Sequence, residues 1–320
     1  MTMSRRMFLA SGAALGAAWM TGSLSGCMAS APRAVSLASG VTRVDLGAVK
    51  VTMLNDGHFA RTLDAAFVKN APLADVQAAL AGAGLPTDKI EVPFNPLVAD
   101  VGGQRVLFDV GNGEFGAATA GKLLENMGKA GIDPNSITAV VFSHFHGDHI
   151  NGLRNKAGNV VFPNAKIFVP EPEWNWWMDD ARMASAPEAM KGAFNATRRV
   201  FGPLAAAVTR FTPGAEVVPG VRSMPAFGHT PGHTVFVLDG GTQKMMYWAD
   251  TTNVAALFVR NPDWAVMFDM DAEAARVTRR QLADLAIREK MLVAGYHLPG
   301  AAIGTLTNRG NGYDFTPLAG

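Results

Sequence analysis

Positions 144–149, within the stretch SHFHGDHI, hold three histidines and an aspartate. The whole chain has 7 histidines, so this concentration asks for a chemical reading. His144 and His146 stand at i and i+2, which puts both imidazoles on one side of an extended segment. Asp148 and His149 follow as the chain leaves the apolar run ITAVVFS. Neutral imidazole and carboxylate are the donors that zinc takes in catalytic centres. The lone cysteine, Cys27, lies far away, so a thiolate-built structural site is excluded. A solvated, histidine-rich loop is the competing reading. It fits poorly with a cluster placed directly after a buried strand.

Three more candidate ligands sit at three more strand ends. GHTPGHT (228–234) presents His229 after RSMPAF, YWAD closes on Asp250, and AGYH closes on His297. One metal ion does not need so many donors, whereas two ions sharing a carboxylate do.

The elements that must carry these residues follow from pattern. LVADVGGQRVLFDVG reads as two strands turned by Gly102-Gly103. AGKLLENMGKAGIDP reads as a helix with Leu123, Leu124 and Met127 inward, stopped by Gly131 and Pro134. Residues 171–204 read as helical and aromatic. HTVFVLD, KMMYWAD and MLVAGYH read as strands, and DAEAARVTRRQLADLAIREK as a helix capped by Asp271 with Leu282 and Leu285 on one side. The expectation is one α/β catalytic domain, two mixed sheets covered by helices.

Taken together, HxHxDH, then GHTPGHT, then a strand-end Asp and a late His resembles the metallo-β-lactamase-fold hydrolases, over roughly residues 40–318. That resemblance implies an αβ/βα sandwich with two metal ions at one edge. It implies that His144, His146 and His229 hold one ion, that Asp148, His149 and His297 hold the other, and that Asp250 bridges them. It implies metal-assisted hydrolysis in which the two ions activate a shared water, with Asp250 and Asp148 as the catalytic carboxylates. Asp109 and His233 are expected to support the ligands, and Asp56 is ambiguous in the same way. His58, in NDGHF, is read as structural. Zinc suits the donor set best, with manganese, iron and cobalt left open. Relatives that use iron for redox chemistry tend to have Glu at the position of His146, so His146 favours hydrolysis. Two positions depart from the common pattern: Asp109-Val110-Gly111 replaces DTG, and Asn151-Gly152 replaces Gly-Gly.

Within the superfamily, the order FDVGNGEFG, FSHFHGDHINGL, FGHTPGHTVFVL and HLPGAAIG…GNGYDFTP is similar to the methyl parathion hydrolase subgroup. By position, that subgroup implies pocket aromatics at Phe115, Trp177 and Phe194. The plainer reading of EWNWWMDD is a helix whose tryptophans pack on the core. Lactonases of the acyl-homoserine type often carry a Tyr just after the bridging Asp, and DTTNVAALFVRNPDW has none. The expected activity is therefore hydrolysis of neutral, hydrophobic esters, a phosphotriester or carboxylic ester first and a lactone as the alternative. A non-catalytic, lipid-anchored binding protein on the same scaffold is the reading from a different class.

The remaining sequence bounds partners and location. Net charge is +1 with scattered basic residues, which does not suit a nucleic-acid binder. SRRMFLA followed by an apolar Ala/Gly run resembles a twin-arginine export signal, and LSGC resembles a lipobox that would lipidate Cys27. Residues 1–27 are thus expected to be a signal, 28–40 a tether, and 41–320 the catalytic domain. The expected partner is a small hydrophobic ester. Membrane contact is expected only through the lipid anchor of an exported, periplasmic protein, and a homodimer is left open.

Overall fold

The computed structural model describes residues 34–37 and 40–319, so Arg5, Arg6 and Cys27 lie outside the described residues. Alternation along the central strands explains the layers. In Leu97–Val101 and Gln104–Phe108, the residues Leu97, Ala99, Val101, Val106 and Phe108 point into one core cluster, and Val98 and Leu107 into another. Ala139–Val141 does the same, with Ala139 and Val141 on one face and Val140 on the other. Strands with both faces apolar must be covered on both sides. Here a second sheet covers one face and helices cover the other.

The first sheet has eight strands in the order Ala34–Leu37, Val41–Asp45, Lys50–Leu54, Leu97–Val101, Gln104–Phe108, Ala139–Val141, Lys166–Pro170 and Val208–Phe211. It is antiparallel up to Gln104–Phe108 and parallel from there on. Ala34–Leu37 lies within the stretch expected to be a tether, yet it pairs with Val41–Asp45 as an edge strand. The second sheet has seven strands in the order Glu216–Val218, Val221–Pro225, Thr234–Asp239, Lys244–Ala249, Leu292–Gly295, Ile303–Arg309 and Gly312–Pro317. Only Lys244–Ala249 and Leu292–Gly295 run parallel, joined by the crossover that holds helix Ala272–Arg288.

Helices Leu123–Lys129, Glu171–Trp177 and Glu188–Phe201 cover the outer face of the first sheet. Leu123 and Met127 are buried as expected, but Leu124 is 48% exposed. Leu124 stands about 100° round the helix from Leu123, on the edge that the sheet leaves uncovered. Helix Ala272–Arg288 packs on the second sheet, burying Leu282, Ala283 and Ala286 against it, with Leu285 half-buried.

A separate ribbon, Gly57–Thr62 paired with Lys89–Phe94, packs with helices Leu73–Gly82 and Ala255–Phe258 into a third cluster around Phe67, Val76, Leu80, Ile90 and Leu257. Among the described residues, no helix is long and apolar enough to cross a membrane.

Candidate metal centre

Parallel strands open at their C-terminal ends, and ligands in α/β sheets gather there. Three of the four ligand segments obey this rule. Ala139–Val141 runs into His144, His146, Asp148 and His149. Lys244–Ala249 runs into Asp250, and Leu292–Gly295 into His297. His229 comes instead from the connection between Val221–Pro225 and Thr234–Asp239. That connection is tied to the first sheet by Thr234 N–H donating to the Ser143 carbonyl at 3.0 Å.

Two strand ends are held in strained backbone. Asp109 has φ 56° and Ala249 has φ 44°, both in the left-handed region that disfavours a side chain. At Ala249 the pairing with Leu292–Gly295 also shifts register. The bulge turns the next residue, Asp250, toward the histidines.

The donor atoms form two groups. His144, His146, His229 and Asp250 each bring one within 4.8 Å of the others, and so do Asp148, His149 and His297. His146 Nδ1 lies 3.0 Å from His144 Nε2 and 2.9 Å from His229 Nε2. Asp250 stands between the groups. Its Oδ2 is 3.2 Å from His229 Nε2 and 3.0 Å from His297 Nε2, and its Oδ1 is 3.1 Å from His149 Nε2. Asp148 Oδ2 is 3.5 Å from both His149 Nε2 and His297 Nε2.

Hydrogen bonds on the far side of each ring decide what these inward nitrogens are. His297 Nδ1 meets the Pro93 carbonyl at 2.8 Å, and His229 Nδ1 meets Asp269 Oδ1 at 2.9 Å. His149 Nδ1 meets Asp109 Oδ2 at 2.8 Å. Carbonyls and carboxylates only accept, so each Nδ1 carries a proton, and in the neutral, metal-binding form of each ring Nε2 turns a lone pair inward. Ser143 Oγ donates to Asp109 at 2.8 Å, and therefore accepts from His144 Nδ1 at 3.0 Å. His144 Nε2 is then a lone pair as well.

In that form the site is a buried cage of acceptors with no donor of its own. His149 Nε2 and Asp250 Oδ1 are buried without a hydrogen-bond partner. Such a cage is unfavourable unless cations fill it. Donor atoms about 2 Å from a tetrahedral zinc ion lie about 3.3 Å from one another, which is the spacing seen here. The residues therefore fit two divalent ions, one in each group, with Asp250 common to both.

Burial and charge divide the ligands. Burial first, then the neighbouring imidazoles, push His144 and His146 well below the usual histidine range, into the neutral form that binds metal. Burial alone would raise the Asp250 carboxyl, but the imidazoles of His297, His149 and His144 around it outweigh that and hold it well below the carboxylate range. Burial lowers His229 and His149, yet the carboxylates around them outweigh it: Asp250 and Asp269 raise His229 to about 9, and Asp250, Asp148 and Asp109 raise His149 well above the usual histidine range.

Supporting residues complete the site. Asp109 accepts from Ser143 N–H, Ser143 Oγ, His149 Nδ1 and the Tyr247 hydroxyl at 2.8–2.9 Å. His233 donates from Nδ1 to the Ala226 carbonyl and accepts the Asp250 N–H on Nε2 at 3.1 Å. Burial and the charge of His229 lower His233 to about 4, which keeps it neutral for that role. Asp56 is fully buried and accepts from Asn112 N–H and Leu123 N–H, both at 2.8 Å, so it holds a turn rather than a metal. His58 lies in the ribbon, its carbonyl accepting from Thr119 Oγ1 at 2.5 Å. Gly152, which survives from the common Gly-Gly, has no room for a side chain. A Cβ there would fall 1.9 Å from the Val110 carbonyl oxygen.

Sequence reasoning missed several groups. Asp269 and Arg279 form a buried relay behind His229, with Arg279 Nη2 3.3 Å from Asp269 Oδ2. Arg279 did leave a signal, for it falls on the apolar stripe Ala275, Leu282, Ala286, where a cation needs a buried partner. Glu173 and Tyr296 were missed too, and neither has a local pattern that marks it.

The donors open into a cavity of about 810 Å³, walled beyond the ligands by Phe59, Val92, Phe94, Phe268 and Arg61. The three aromatics expected there lie elsewhere. Trp177 and Phe194 are each 1% exposed, their rings 4.9 Å apart in the core under the first sheet. Phe115 lies beneath the Arg199 guanidinium at 3.6 Å. For Trp177 the helical spacing that fitted core packing was the decisive signal. The pocket aromatics come from the ribbon and the 263–270 segment, which no site motif marks.

A profile of the metallo-beta-lactamase superfamily matches residues 95–290. Among solved structures, the chain is similar to AidC, a dizinc quorum-quenching lactonase in complex with a product, N-hexanoyl-L-homoserine. Identity is 26% over 88% of this chain and 98% of that chain, with TM-score 0.82. It is similar in fold to the hydrolase AbOPH, at 22% identity over 89% of this chain and 99% of that one, TM-score 0.82. It also matches a probable metal-dependent hydrolase from Staphylococcus aureus, at 20% identity over 78% and 90% of the two chains, TM-score 0.66. No curated protein sequence matches the chain. The chain belongs to the metallo-beta-lactamase superfamily and is a metal-dependent hydrolase with a dinuclear site.

Proposed function

We propose that this enzyme hydrolyses neutral, hydrophobic esters, lactones and phosphotriesters being the two classes to separate, with zinc as its metal. The observation that carries this reading is the cavity wall. Phe59, Val92, Phe94 and Phe268 offer apolar surface, and the one cation among them, Arg61, is paired with Asp64 at 2.7 Å. A wall without a free charge favours a substrate without one. The donor set of imidazoles and carboxylates suits zinc.

Two cations, when bound, supply Lewis acidity, lowering the pKa of water and offsetting charge that develops on the ester. The chain supplies position. The Asp250 backbone N–H is held from behind by His233 Nε2 at 3.1 Å, which fixes where the residue leaves its strand. Asp148, the more exposed site carboxylate with 23% of its side chain accessible, reaches the cavity and can carry a proton to the departing oxygen. No tyrosine lines the cavity among the described residues, so that duty falls to Asp148 or solvent. The Tyr296 phenol is turned away, donating to the Asp148 carbonyl at 2.5 Å.

Likeness to AidC at 26% identity supports a lactone. The order of motifs quoted above supports a phosphotriester or open-chain ester. The deciding experiment loads the protein with zinc and compares kcat/KM for a chromogenic phosphotriester and a long-chain homoserine lactone. A preference for the lactone would tie the enzyme to lactone chemistry. A preference for the triester would tie it to phosphotriester chemistry, and failure on both and on simple aryl esters would remove the reading.

A further inference from the structure

We infer that Glu173 is the positioning residue that sets the His144–His146 segment against the His229 loop. Glu173 is fully buried in helix Glu171–Trp177. Its Oε2 accepts from Phe145 N–H at 3.0 Å and from the Trp177 indole N–H at 2.7 Å, and its Oε1 accepts from Gly232 N–H at 2.7 Å. Phe145 stands between two ligands, and Gly232 is three residues beyond a third.

None of those three partners is a cation. A buried carboxylate without one is costly, and is sustained only where its acceptors are fully used. Here they join three separate pieces of chain at the point where three ligand nitrogens converge. Contact is direct: a Cβ on Gly232 would lie 2.4 Å from the Glu173 nitrogen, so nothing fits between helix and loop. The Thr234–Ser143 bond ties the same two segments further from the ligands. Glu173 ties them beside the ligands, and so sets the spacing of His144, His146 and His229.

The inference rests on the two-metal reading above, and Glu173→Gln tests it apart from that reading. Glutamine keeps the size but replaces one acceptor with a donor, and every partner of Glu173 is a donor. Turning the amide toward Gly232 loses one bond, while the opposite turn loses two. The His229 loop is therefore the one released. Metal-free protein is titrated with Zn²⁺ under chelator competition, and the Co²⁺ absorption spectrum of each variant is recorded.

Wild type is expected to take two ions. In Glu173→Gln, one binding step weakens roughly 10–100-fold, the range for a lost supporting partner, and the other is unchanged. Trp177→Phe keeps both loop bonds and leaves both steps unchanged. Equal effects on both steps, no effect, or the same loss in Trp177→Phe would overturn the inference. Wild type taking fewer than two ions would instead remove the two-metal reading. If Glu173→Gln does not fold, or that reading fails, amide exchange in metal-free wild type decides. Phe145 and Gly232 N–H should stay protected after chelation, and rapid exchange at both would overturn the inference.

Discussion

Asp250 and Phe268 face the same cavity from regions built by opposite means. Around Asp250, four imidazoles are each fixed by a hydrogen bond that the far-side Nδ1 donates, to Ser143, Asp109, Asp269 or the Pro93 carbonyl. Around Phe268, the ribbon and its helices meet through apolar contact: Phe268 sits edge-on to Phe59 and Phe67 at ring distances of 6.3 and 6.1 Å. Hydrogen bonds are directional and a buried one fails outright when a partner is lost. Apolar contact is non-directional and tolerates exchange of one side chain for another. The metal edge is thus set up to keep its chemistry constant, and the roof to let substrate preference vary.

Five substitutions sharpen or break that contrast. Asp250→Asn strikes the shared ligand, and kcat/KM is expected to fall by about 10³-fold or more, as when a group acting on the reacting centre is lost. Metal analysis should show fewer than two ions per chain, and full activity in this variant would end the dinuclear account. Asp109→Asn keeps the shape and tolerates the left-handed backbone, but leaves one acceptor oxygen for four donors. Metal affinity at the His149 group should weaken about 10–100-fold, read by chelator competition.

On the roof, Phe268→Ala should raise KM by about 10-fold with kcat nearly unchanged, because only uniform binding is lost. Phe194→Ala is its control from the core. It should cost about 3–5 kcal/mol of stability, seen in denaturant melts, and leave KM alone. A KM change in Phe194→Ala without one in Phe268→Ala would return the pocket to the aromatics expected from resemblance.

Smallest is the exposed pair that braces the segment leading to Phe268. The hydrogen bond from Arg280 holds the Asp263 carboxyl below its usual value. A carboxyl lowered by folding stabilises above its unfolded pKa, and that contribution is lost as pH falls through the folded value. Arg280→Ala should therefore lower stability at pH 7 by under about 1 kcal/mol, since 34% and 64% of the two side chains are exposed. The gap between variant and wild type should close in acid. A gap that persists in acid would mean that Arg280 acts by packing.

Much of the fold was legible because its signals are local. The Gly102-Gly103 turn, the Asp271 cap and the strand ends at Asp250 and His297 all lie where pattern placed them. Leu124 was misplaced because a run of two leucines does not say which of them faces in. The ligand types were legible for the same reason, since i, i+2 histidines after an apolar strand need no knowledge of the rest of the chain.

What chain order alone determined is the set of donors and the strand ends that present them. The tertiary structure alone decided which nitrogen of each ring turns inward, because those partners are distant in sequence: His149 and Asp109 are 40 residues apart, and His297 and Pro93 are 204 apart. It also decided the wall of the cavity, because Phe59 and Phe268 reach the site only through the ribbon's packing. A ligand pattern is written in neighbours along one chain segment. A tautomer or a pocket is written where separate segments meet, and only folding brings those together.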